Sequence, residues 1–84
     1  MLDIIQIHDN DNVVVTLKDL SAGQTFTVDE DVIELKHDVP RGHKVAIKNI
    51  DINEHVVKYG YPIGHAIKDI TVGEHIHTHN TKQT

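Results

Sequence analysis

Apolar residues arrive along this chain in short β-branched bursts, each closed by Asp, Asn, Gly or Pro. That pattern predicts strands at Ile4–His8, Val13–Leu17, Thr25–Val28, Val32–Leu35, Lys44–Ile47, His55–Lys58, Ile63–Ile67 and His75–His79. No window of about 11 residues keeps a 3.6-residue period, so the chain reads as all-β. At most, Asp29–Asp31 forms a helical turn. Val39-Pro40-Arg41-Gly42-His43 reads as one turn, with Pro presetting φ, and Gly60-Tyr61-Pro62-Ile63-Gly64 as a second. Residues 1–80 form the expected domain, and Thr81-Lys82-Gln83-Thr84 a polar tail that frays or leads elsewhere.

The bursts are organised by an internal repeat. Leu17-Lys18-Asp19-Leu20-Ser21-Ala22-Gly23-Gln24 returns as Ile47-Lys48-Asn49-Ile50-Asp51-Ile52-Asn53-Glu54, and again as Ile67-Lys68-Asp69-Ile70-Thr71-Val72-Gly73-Glu74. In each copy Asp or Asn can bond its own downstream backbone and open a turn. Gly23 and Gly73 supply a positive φ without steric cost, and Asn53 is the usual substitute there. The second aliphatic of each copy, Leu20, Ile50 or Ile70, is expected to plug the core beneath its turn. Because the copies are unevenly spaced, the expectation is one compact domain with approximate internal symmetry, not a solenoid.

Composition narrows the function classes. With 84 residues the core is thin, which favours an open or shared cleft over an enclosed cavity. The chain has no cysteine, so neither a disulfide nor a thiolate is available. Eight Lys/Arg against thirteen Asp/Glu leave a net charge of -5, and the basic residues do not cluster along the chain. A nucleic-acid surface is therefore not expected. The first residues lack a signal-peptide pattern, and no run approaches the roughly 20 apolar residues of a membrane span. No membrane association is expected, and a cytoplasmic location is.

The eight histidines are the unusual feature. Glu74-His75-Ile76-His77-Thr78-His79-Asn80, read as a strand, would put His75, His77 and His79 on one face. Two such imidazoles could bind a metal if a third ligand came from His8, His55, His65, a carboxylate or another chain. The same rings could instead hydrogen-bond an anion or be structural, and spacing alone does not choose. Lys58, between Val56-Val57 and Tyr59-Gly60, could meet a carboxylate or phosphate, or lie along the sheet with its head in water. Gly60 and Gly64 would let backbone N–H groups approach a ligand. Arg41-Gly42-His43-Lys44 could hold an anion, although such a run is more often a solvated loop.

Three motifs together resemble a known family: Gly42-His43-Lys44-Val45-Ala46-Ile47, then Val57-Lys58-Tyr59-Gly60-x-Pro62-Ile63-Gly64-x-Ala66, then Gly73-Glu74-His75-Ile76-His77-Thr78-His79-Asn80. Their order and spacing look like the N-terminal SAF domain of the altronate/galactarate dehydratase family, a group that includes sulfolactate dehydratase. The likeness runs from Asp11 to Asn80. It implies a compact β-clip fold and a role in eliminating water from a sugar acid, or a sulfite-type group from a sulfo-acid. It also implies a divalent metal, iron(II) first and manganese(II) or zinc(II) otherwise, held mainly by a partner chain.

The resemblance carries substrate binding onto Lys58, Tyr59, Gly60 and Asn80, and metal binding onto His77 and His79, with no catalytic residue assigned. It places no role on His75 or Tyr61. Since the chain stops just after Asn80, the expectation is a free-standing small subunit whose partners are a large dehydratase subunit and a small-molecule sugar acid. A homo-oligomer stays open. The competing readings are a stand-alone SAF-type module that binds a carbohydrate or anion without catalysis, and a structural element that pairs through its strand edges.

Overall fold

A computed structural model of the chain describes residues 3–83. Among them are nine strands and no helix: β1 (Ile4–Ile5), β2 (Val13–Thr16), β3 (Thr25–Val28), β4 (Asp31–Glu34), β5 (Lys44–Ala46), β6 (His55–Lys58), β7 (Tyr61–Ala66), β8 (His75–Ile76) and β9 (Thr81–Gln83). The central sheet has the order β1-β2-β5-β8, with every neighbour antiparallel. The β3–β4 hairpin stands apart, and β6, β7 and β9 form a third, antiparallel sheet. No helix among the described residues is long and apolar enough to cross a membrane.

The central sheet is buried on both faces, which is why Val13 and Val14 are both apolar although they point to opposite sides. Val13, Ala46 and Ile76 join Val56 and Ala66 of the three-stranded sheet in one core cluster. Val14 and Val45 join Leu20, Leu35 and Val39 in the other, against which Phe26 and Val28 of the hairpin pack.

The repeat is deeper than its three legible copies. Residues 36–43 form a fourth, in which Lys36 stands at the first aliphatic position and His37 at the lysine position. The copies work as two reciprocal pairs. Leu20 and Val39 exchange backbone N–H···O bonds of 2.9 and 2.8 Å, and Ile50 and Ile70 exchange two of 2.8 Å. Asp19 accepts from the N–H of Arg41 while Asp38 accepts from that of Ala22. Asp69 accepts from Ile52, and Asn49 from Val72. The Asp/Asn side chains therefore cap the partner copy's turn and not, as expected, their own. The expected plugs hold: Leu20, Ile50 and Ile70 are all buried. Gly23, Asn53 and Gly73 have φ of 88°, 74° and 93°, and Gly42 of the fourth copy has 83°.

Several expected elements change. Asp29–Asp31 is no helical turn: Asp29 (φ 55°) and Glu30 form a two-residue hairpin loop, with Val28 opposite Asp31. The second expected turn moves upstream. Tyr59 and Gly60, with φ of 59° and 74°, make the reversal as a type I′ turn, and residues 61–66 are strand β7. Pro62 sits in that strand beside a register shift at Val56/Val57, where a missing N–H is tolerated. Thr81–Gln83, expected as a polar tail, is β9: it pairs with Gly64–Ala66. A Cβ on Gly64 would lie 2.5 Å from the Lys82 carbonyl oxygen, so glycine is what lets this strand seat. The His75–His79 strand ends at Ile76.

Candidate functional site

The imidazoles gather at one end of the central sheet, but not as a strand face. Asn80 is fully buried, and its Oδ1 accepts from the His77 N–H while its Nδ2 donates to the His75 carbonyl. The backbone N–H groups of Asn80 and Thr81 both reach the His77 carbonyl at 3.1 Å. These bonds curl residues 77–80 into a turn and break the alternation that would have aligned three rings. Asn80 is thus a buried brace, and the substrate-binding role expected of it does not fit a side chain with no exposed surface.

What results is a cluster centred on His75. His75 Nε2 lies 2.8 Å from His43 Nδ1, so the two rings share a proton. The His43 and His77 rings stack at 5.0 Å with an interplanar angle of 7°, and His77 and His79 each lie 5.7 Å from His75. Burial first, then the neighbouring imidazoles of His43, His79, His77 and His37, push the His75 pKa down to about 4. His75 therefore stays neutral through the physiological range. Sequence reasoning placed His43 only in a basic turn that could hold an anion, not in a histidine cluster, and the resemblance carried no role onto His75. A signal for His43 existed: it stands in the fourth repeat copy where Gln24, Glu54 and Glu74 stand in the others, directly before a strand.

Two open clefts flank the cluster. One, of about 520 Å³, is lined by His75, His79, His37, Lys68, Asp69 and Glu74, a mixed-charge set. The other, of about 700 Å³, takes His77 on its wall. The expected metal pair is therefore split between clefts. His77 stacks on His43 and His75, whereas the ring contact of His79 is a tilted one with His75, and one ion would need both nitrogens about 2.0–2.1 Å away. Among the described residues no three His, Asp or Glu side chains are placed to hold a metal ion. A metal bound by this chain alone does not fit His77 and His79.

The Lys58–Gly60 stretch is built around Asp11, a residue sequence reasoning passed over. Asp11 is buried, and its carboxylate accepts from the N–H groups of His8, Tyr59 and Gly60 at 3.0, 3.2 and 2.8 Å. Those bonds clamp the β6–β7 turn to the loop after β1. Gly60 is glycine because its φ is positive and because a Cβ there would meet the His8 ring at 3.1 Å. Of the glycines expected to let backbone N–H groups meet a ligand, Gly60 has its N–H occupied by Asp11, as does its neighbour Tyr59. Lys58 holds its ammonium 4.8 Å from the Tyr59 ring centroid, a cation–π contact, and lines neither cleft beside the imidazoles.

An all-β domain of reciprocally capped turns, with a histidine cluster open at one end, defines the class as SAF-like. The chain belongs to the altronate/galactarate dehydratase SAF domain family, whose sequence model it matches over residues 2–84. It is 50% identical over 82 residues to altronate dehydratase of Bacillus subtilis, covering 98% of this chain and 16% of that protein. To galactarate dehydratase (L-threo-forming) of Escherichia coli it is 40% identical over 74 residues, covering 86% of this chain and 14% of that protein. To (2R)-sulfolactate sulfo-lyase subunit alpha of Chromohalobacter salexigens it is 39% identical over 84 residues, covering 90% of this chain and 89% of that one. The chain thus spans a small fraction of the dehydratases and nearly all of the lyase subunit.

Proposed function

We propose that this chain is the SAF subunit or accessory domain of a lyase that eliminates water from a sugar acid, or a sulfite-type group from a sulfo-acid. The observation that carries the reading is the imidazole cluster, which stands between two open clefts and lacks an enclosing wall. A larger polypeptide completes the site in this reading. The near full-length likeness to a lyase subunit alpha supports a separate small chain, and the likeness to the altronate and galactarate dehydratases supports the elimination chemistry.

Such an elimination takes the proton α to a carboxylate and expels the β-substituent, which leaves as water when it is a hydroxyl. His77 is suited to proton transfer at the rim. Its Nδ1 lies 3.2 Å from the Thr78 hydroxyl and the residue is exposed, which leaves Nε2 to give or take a proton. The neutral His75, sharing its proton with His43, holds the stack in place. The principal base and the divalent metal, iron(II) by the family resemblance, belong to the larger chain in this reading, located in the cytoplasm.

The test is purification of the tagged chain from its host, followed by assay of the resulting complex on aldonates, aldarates and sulfolactate with iron(II) supplied. The expected result is a larger partner and turnover of one of these acids. His77→Ala should then lower kcat about 100-fold, within the usual range for loss of a proton-transfer group, while the complex stays intact. Unchanged kcat in that variant removes His77 from the chemistry. A chain that purifies alone and binds an acid without turnover points to the stand-alone binding module.

A further inference from the structure

The cleft beside His77 differs from the rest of this acidic molecule. Its walls are Lys44, His77, Thr78, Thr81, Lys82 and Gln83, with no carboxylate among them. A smaller cavity of about 150 Å³ adjoins it, sharing Lys44, Thr81, Lys82 and Gln83 and adding an apolar floor of Val56, Ile63 and Ile76. Lys44 stands opposite Ile76 in the central sheet, and Lys82 opposite His65 in the other, so two separate sheets bring these lysines to the walls of one groove. The sequence hid this, because the lysines are far apart in the chain.

Lys44 is also in an unusual state. It is half-buried, and among the described residues the one ion pair within 4.0 Å is Lys18 with Asp3. Burial first, and then the Lys58 ammonium, hold its pKa below the ordinary lysine value. A partly desolvated ammonium that feels the Lys58 charge and shares its groove with Lys82, with no carboxylate among the described lining residues, is stabilised by an incoming anion. Gln83 adds amide donors, and the His77 ring on the same wall adds an N–H when its Nε2 carries the proton.

We infer that the Lys44–Lys82 groove is a carboxylate-binding site, which takes a short organic acid by its carboxylate and lays the carbon body on the Val56–Ile63–Ile76 floor. A free hydroxy acid and a Glu or Asp side chain of a partner polypeptide present the same group. The site needs neither the lyase reading nor a partner, because every residue in it is on this chain.

The experiment is a titration of the isotope-labelled chain, followed by amide chemical shifts at constant ionic strength. The probes are tartrate, as a free hydroxy acid, and acetyl-Gly-Glu-Gly-amide, as a side-chain carboxylate, with sodium chloride as the reference. Saturable shifts clustered at residues 44, 77 and 81–83 are expected with at least one probe. The tighter of the two identifies the source of the carboxylate. Lys44→Met should weaken binding about tenfold or more, Lys44→Arg should retain most of it, and Lys48→Met, exposed and outside the groove, should change nothing. Shifts no larger than those of chloride, or Lys44→Met binding as tightly as the parent with its spectrum still dispersed, overturn the site. Turnover is not measured, so this answer is separate from that of the lyase assay.

Discussion

At the scale of single residues, His75 shows how a fold can turn a titratable group into a structural one. Its ring is partly buried among other imidazoles, so desolvation first and repulsion from its neighbours second disfavour the charged form. The unfolded chain takes up this proton near pH 6.5, whereas the folded chain resists until about 4. A histidine with a depressed folded pKa contributes stability above the unfolded value and loses it as pH falls from about 6.5 to about 4. Urea midpoints for the parent should therefore drop between pH 7.5 and 5, and His75→Gln should flatten part of that drop. An identical pH slope in the two proteins would mean that His75 is not the group responsible. Asp11 was illegible for a related reason: its three N–H partners come from two loops that are distant in sequence.

Among the elements, β9 departs furthest from its sequence. Thr81-Lys82-Gln83 has the polarity of a tail, and nothing in its composition selects a strand. It becomes one because β7 offers an edge and Gly64 has no side chain to hold it off. Gly64→Ala should therefore unseat β9 and destabilise the domain by about 1–3 kcal/mol, the usual cost of overpacking. Amide hydrogen exchange at residues 81–83 should accelerate more than exchange in β2 or β5. Exchange that stays slow there would show that the strand tolerates the methyl group. Since Lys82 lies on this strand, the groove with Lys44 depends on the same contact. The β8 strand shows the opposite error. His-x-His alternation suggested a long strand, but the Asn80 amide closes a turn that period-2 reasoning could not anticipate.

For the molecule as a whole, the central fact is two halves built alike, each a pair of turns that cap one another. Ile50 and Ile70 share one core cluster, and Leu20 belongs to the other. Ile50→Ala and Ile70→Ala should each cost about 2–5 kcal/mol. The pair combined should depart from additivity by more than about 0.5 kcal/mol, because the two residues share a bridge and a core. Leu20→Ala with Ile70→Ala should add within about 0.5 kcal/mol, because the central sheet separates them. Chemical denaturation of the single and double variants measures both. Local spacing determined the all-β class, the approximate positions of most strands, the positive-φ turns of the three legible copies and their aliphatic plugs, because each follows from the preferences of a few neighbouring residues. The fourth copy escaped because Lys36 and His37 replace its first aliphatic and its lysine, while the turn geometry persists. Tertiary structure alone decided which turns cap which, which imidazoles stack, and which lysines share a groove. Those contacts join residues from different sheets, and a pattern read along one strand holds no information about its neighbour across the core.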